Sequence, residues 1–197
     1  MIGLAVGAVA FVALPASVGL FVLSSSVIEA VFLHGAFGED GVQRTSSALR
    51  WLCLAILPAG AAGLVARTYY ALGDFRTPVQ ISSGLLVANA LLNWWLVAGA
   101  GMDVDGLALA TAITTWGNLL LLALGLRRHL GLPTSTTPLA GPLLLMSVAA
   151  SACGGAALGV QAWLATQVGQ AIALPVSIGA GMAVYAWVAH ALSVPEA

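Results

Sequence analysis

The sequence contains no lysine; its six basic residues are all arginine, and with seven acids they bring the charged fraction to only 7% of 197 residues. A typical soluble domain carries roughly 25% charged residues, so a water-facing exterior cannot be assembled from this chain and the surface must face lipid. The formal net charge is -1 and no basic face exists, which excludes recognition of nucleic acid through its phosphates. Cysteine is scarce too. Cys53 and Cys153 each sit inside an apolar run, with no second Cys or His at metal-ligand spacing, and read as small packing residues. His34, His129 and His190 fall in separate loops or segment ends and do not converge on one metal. Ser24, Ser25 and Ser26 lack a nearby His or Asp that would activate a hydroxyl, so no catalytic residue is assigned and the chain does not read as an enzyme.

What the sequence has instead is apolar length: 60% of its residues are hydrophobic and the mean hydropathy is +1.02. A bilayer core requires about 20 apolar residues per helix. Polar or turn-forming breaks divide the chain into six such segments, at 3–24, 47–72, 78–98, 106–126, 139–160 and 170–192. The breaks are His34 to Thr45, Gly73 to Pro78, the pair Asp103 and Asp105, Arg127 to Pro138, and a weaker one from Gln161 to Gln170. The runs lack the apolar/polar alternation of a transmembrane β-barrel, so the expected fold is all-α, a polytopic transmembrane bundle of about six helices. The first segment is not read as a signal peptide, because no Lys or Arg precedes it and it continues past Pro15 and Gly19 to about Leu23.

Orientation follows from the positions of the arginines, since basic residues near helix ends favour the cytoplasmic side. Arg127 and Arg128 lie in the fourth break, whereas the third carries Asp103 and Asp105 and no base. The fourth break is therefore expected inside, the His34 to Thr45 loop outside, and both termini cytoplasmic. Arg50 and Arg67 are 17 positions apart on the second helix, about 25 Å at 1.5 Å per residue, so each can snorkel to its own interface. Pro15 and Pro58 fall near the middle of the first two helices, where each removes a backbone hydrogen bond; either a static kink or a flexing point results. Gly3 with Gly7 and Gly155 with Gly159 have the spacing that permits close helix packing.

Four ordered motifs carry a family resemblance over roughly residues 10–131. The first is Phe32-Leu33-His34-Gly35-Ala36-Phe37, followed by Glu39-Asp40 and then Thr45 to Arg50. The second is Tyr69-Tyr70-Ala71-Leu72-Gly73-Asp74-Phe75-Arg76-Thr77-Pro78. It makes physical sense as a helix stop at Gly73 and a restart with Thr77 as N-cap and Pro78 in the first turn. The others are Asn89-x-x-x-Asn93, and Gly106-Leu107-Ala108-Leu109-Ala110-Thr111 running to Arg127-Arg128. Together they resemble the MurJ/MviN lipid II flippase family, within the multidrug/oligosaccharidyl-lipid/polysaccharide exporter superfamily. They match its helices nine to fourteen, a partial flippase fold. Ser25 and Ser26 stand where the family commonly has Glu-Pro.

The resemblance implies a multi-pass protein of the bacterial inner membrane that moves lipid II, the undecaprenyl-pyrophosphate-linked peptidoglycan precursor, by alternating access among membrane lipids. It divides the chain into four C-lobe helices at 1–131 and two additional helices at 132–197, with the N-terminal half of the flippase as the missing partner. Related polysaccharide-lipid or drug exporters, and a non-transporting scaffold, are the alternatives. The family's cationic cavity comes mainly from helices outside this sequence. Arg44, Arg50 and Arg67 are the nearest substrate-binding candidates, with interface anchoring as the competing role. Asn89 and Asn93, four apart, share a face of the third helix, and Thr111 lies early in the antiparallel fourth. With the carbonyl of Leu107 they would offer oxygen ligands to a sodium ion, as in family members that use acidic and amide groups at corresponding positions; no cofactor is expected beyond that candidate ion. Interhelical hydrogen bonding, worth about 0.6 kcal/mol per bond, is the other reading of the same residues.

Overall fold

The computed structural model describes residues 2–32, 38–130, 140–168 and 170–191, and all secondary structure among them is helical. Seven α-helices follow in order: α1 (Ile2–Val22), α2 (Ser24–Phe32), α3 (Glu39–Ala71), α4 (Arg76–Trp94), α5 (Val104–Leu130), α6 (Ala140–Val168) and α7 (Gln170–Ala191). A π-helical turn, Trp95–Gly99, extends α4. Six of these helices are long and apolar enough to cross a membrane. Helix α2, nine residues, is the seventh.

The boundaries correct two sequence expectations. The segment from His34 to Thr45 is not a loop throughout: α3 begins at Glu39, so Glu39 and Asp40 occupy its first turn, where carboxylates favour the positive end of the helix dipole. His34 itself lies outside the described residues, as does most of its motif. The weak break also shifts. Helix α6 continues through Gln161 to Val168, because Gln161 is buried and its side-chain oxygen accepts a 2.8 Å hydrogen bond from the fully buried Ser177 Oγ on α7. The domain boundary at 131/132 and the stretch from 131 to Pro138 lie outside the described residues.

Two helix pairs make the most extensive contacts, α3 with α5 and α6 with α7, and α1 bridges them by packing on both α3 and α6. Ala62, Val65 and Tyr69 of α3 meet Leu122 and Leu126 of α5 in one core cluster. Ala149, Ala150 and Cys153 of α6 meet Tyr185 of α7, with Phe11, Leu14 and Val18 of α1 packed against them, in another. Close approach comes at glycines other than those expected. A Cβ on Gly60 would stand 2.7 Å from Val9 Cγ1, and one on Gly154 2.6 Å from Val18 Cγ1, whereas Gly7, Gly155 and Gly159 face open space. Helix α4 leans on α5 and barely touches α3, so most of its side chains are uncovered.

The turn between α3 and α4 follows the expected stop at Gly73 but not the expected restart. Gly73 takes φ +80, the Gly73 N–H donates to the Tyr70 carbonyl and the Asp74 N–H to the Tyr69 carbonyl, both at 3.0 Å. That pair of bonds is a Schellman motif, which satisfies carbonyls left over at a helix end. The N-cap position of α4 is Phe75, and the side chain that answers the free N–H groups of the first turn is that of Asp74, not of Thr77. The Asp74 Oδ1 accepts from the backbone N–H of Arg76 at 3.1 Å and of Thr77 at 3.0 Å. Hydrogen bonds from Thr77 and then Arg76 hold the Asp74 carboxyl below the usual carboxylate range, with the charge of His129 helping.

Candidate functional site

Helix α3 carries three of the six arginines, and the structure does not bring them together. Arg44 Nη1 forms an ion pair with Asp103 Oδ2 at 2.8 Å, so its charge is answered at the end of the bundle where α3 begins. Two turns along, Arg50 donates from Nε to Ser24 Oγ at 2.9 Å and from Nη2 to Ser25 Oγ at 3.1 Å. Ser24 is fully buried at the junction of α1 and α2. Of the two serines that depart from the family pattern, Ser25 thus serves, beside Ser24, as an acceptor for Arg50, a role that reading along the chain missed. A charged side chain near a membrane segment needs a polar partner, and the serine cluster in an otherwise apolar run was the available signal. Arg67 lies exposed 17 positions beyond Arg50, near the other end of α3. Ser47 Oγ also donates to Asp105 Oδ2 at 2.8 Å, tying α3 to the start of α5 a second time.

The amide pair does come together. Asn93 Nδ2 donates to Asn89 Oδ1 at 3.0 Å, and Asn89 Nδ2 donates to Thr114 Oγ1 at 3.0 Å across the gap between α4 and α5. Thr114 Oγ1 in turn donates to the Ala110 carbonyl at 2.8 Å. Thr114, three positions after Thr111, is therefore the hydroxyl that meets the amides, and sequence reasoning chose its neighbour. The Thr111 hydroxyl bends back to the Leu107 carbonyl at 2.9 Å, the local bond a helical threonine commonly makes. Asn93 Oδ1 is buried and accepts no hydrogen bond, and Asn118 Oδ1, one turn beyond Thr114 on α5, is in the same state.

A cleft of about 490 Å³ lies between α3, α4 and α5, lined by Asn89 but not by Asn93 or Leu107. Asn89, Thr111, Thr114 and Asn118 supply its polar wall, and the small residues Ala59 and Gly63 of α3 leave the room. Oxygen atoms dominate the donor set, which suits a hard monovalent cation, but none of Asn89, Asn93, Leu107 and Thr111 contributes a charge. Among the described residues no group of three His, Cys, Asp or Glu side chains is placed to hold a metal.

Comparison with known proteins fits this arrangement. Residues 2–179 match the family model described as "Lipid II flippase MurJ". Among curated relatives, a probable lipid II flippase MurJ of Vibrio cholerae is 30% identical over 182 residues, covering 90% of this chain and 34% of that protein. That of Thermotoga maritima is 30% identical over 104 residues, covering 53% of this chain and 22% of the relative. A solved structure titled "Lipid II flippase MurJ, inward closed conformation" superposes with a TM-score of 0.76 at 24% identity, covering 95% of this chain and 37% of that one. The chain thus spans between about a fifth and a third of the length of the curated relatives it matches. With the family model matching almost its whole length, this multi-pass membrane protein belongs to the MurJ family.

Proposed function

We propose that this chain is the C-terminal portion of a bacterial lipid II flippase, a transporter and not an enzyme, which works in the inner membrane by alternating access together with the part of a flippase that it does not match. The observation that carries this reading is the unbroken family match from residue 2 to residue 179. The geometry agrees: the arginines of α3 are spread along the helix, paired or at its ends, and form no cluster for a pyrophosphate. The cationic part of the transport path then belongs to the rest of the flippase. The termini and the Arg127–Arg128 pair face the cytoplasm in this reading, supported by four arginines at that end, Arg67, Arg76, Arg127 and Arg128, against two, Arg44 and Arg50, at the other. The test is growth of a strain depleted of its lipid II flippase. Co-expression of this chain with the part of a MurJ protein that it does not match restores growth, and the chain alone does not. Rescue by the chain alone, or failure of the pair when both parts reach the membrane, contradicts the proposal.

A second role for the same helices is a sodium site at Asn89, Asn93, Leu107 and Thr111, favoured by one observation, the buried Asn93 Oδ1 that has no partner. A buried acceptor left unpaired costs free energy, and a bound cation removes that cost.

A further inference from the structure

A proline inside a helix lacks the N–H that would bond the carbonyl four residues earlier, and that carbonyl is then left without its helical partner. In lipid, where no water replaces the lost bond, another donor must be found within the protein. Pro15 of α1 releases the carbonyl of Phe11, and Pro58 of α3 releases the carbonyl of Leu54. Both carbonyls are occupied, each by an aromatic side chain from a different helix. Tyr185 of α7 donates its hydroxyl to the Phe11 carbonyl at 2.8 Å, and Trp116 of α5 donates its indole N–H to the Leu54 carbonyl at 3.1 Å.

We infer that Tyr185 and Trp116 are positioning residues that latch α1 and α3 at their proline bends, each by occupying the one backbone carbonyl its proline sets free. The surroundings are built for this. The Tyr185 side chain is buried and its ring packs on that of Phe11 at a centroid distance of 5.2 Å, so the hydroxyl is aimed by the ring that carries it. The two proline-bearing helices also touch each other, at Gly60 and Val9. Gly60, two residues after Pro58, lies under Val9, two residues before Phe11, with no room for a side chain between them. A change of bend in one helix is therefore felt by the other. The latches join α1 to α7 and α3 to α5, so each sets the angle of a bent helix against a helix that has no proline at the same level. This inference concerns the described helices themselves and stands whatever the complete protein transports.

The test is a pair of double-mutant cycles on the purified chain. Trp116→Phe keeps an aromatic ring and removes the N–H, whereas Pro58→Ala returns an N–H to the Leu54 carbonyl and makes the indole bond redundant. Trp116→Phe alone lowers the melting temperature by about 2–4 °C. It also broadens the distance distribution between spin labels at Gln43 and Leu72, which flank the bend of α3. In the Pro58→Ala background the same substitution leaves both readings unchanged. Tyr185→Phe with Pro15→Ala forms the parallel cycle, read by melting temperature, and decides the question if Trp116→Phe does not yield folded protein. Equal effects of the aromatic substitution with and without the proline would show that the ring only packs, and would overturn the inference, as would no effect in either background.

Discussion

Polar side chains inside a membrane segment are expensive unless the protein answers them, so each one is a statement about its surroundings. Asn93 makes one of the clearest: its Nδ2 bonds Asn89, while its Oδ1 is buried with no donor. If that oxygen takes a sodium ion, sodium binds the folded chain alone and raises its melting temperature by mass action. The expected result is a higher melting temperature in sodium chloride than in choline chloride for the wild type, and no difference for Asn93→Ala. Equal melting of the wild type in the two salts restricts Asn89 and Asn93 to holding α4 against α5. At this scale the sequence was partly legible. Spacing of four puts Asn89 and Asn93 on one face, and they do meet. Spacing does not say which of Thr111, Thr114 and Thr115 a neighbouring helix receives, because that depends on the rotation of α5, which packing against Tyr69 and Val65 fixes. The partners of Arg50 and of the two proline-released carbonyls lie 25 to 174 residues away in sequence, beyond any local pattern.

At the scale of the element, apolar run length found all six spans, because the bilayer imposes that length on every crossing. Ends were harder to read. Polar residues mark where a helix leaves the apolar layer, not where its hydrogen bonds stop, so α3 starts eight residues before the expected 47 and α6 runs eight past 160. The α3–α4 turn shows what decides an end. Gly73 was legible as a left-handed stop, but the capping side chain is that of Asp74, whose charged oxygen reaches two free N–H groups at once. Because the folded-state pKa of Asp74 is lowered, its contribution is present above the ordinary carboxylate value of 3.8 and is lost as the pH falls through the lower folded value. Melting temperature followed from pH 6 downward therefore falls more steeply for the wild type than for Asp74→Ala. The variant starts from a lower value because the first turn of α4 has lost its acceptor. Parallel acid limbs for the two proteins would show that the cap does not depend on the charge.

For the whole molecule, what decides the setting is how much apolar surface is left uncovered. Leu86, Trp94 and Trp187 are each at least 70% exposed, a cost that only lipid or further helices can relieve. The relative of Vibrio cholerae extends well beyond the third of its length that this chain matches. The lipid setting was legible from composition alone, since 7% charge cannot clothe a soluble globule, and the helical class from run length; how α1 bridges the two helix pairs was not, because contacts between apolar faces leave no periodic mark. Three crossings, α3, α4 and α5, separate the acidic start of α3 from the arginine pair at the end of α5. Single cysteines introduced by Asp40→Cys and by Arg128→Cys, with the buried Cys53 and Cys153 left in place, are challenged in intact cells with an impermeant maleimide. The chain with the Asp40→Cys change labels at once, and the chain with Arg128→Cys labels only after the membrane is permeabilised; labelling of both from the same side would contradict an odd number of crossings between them.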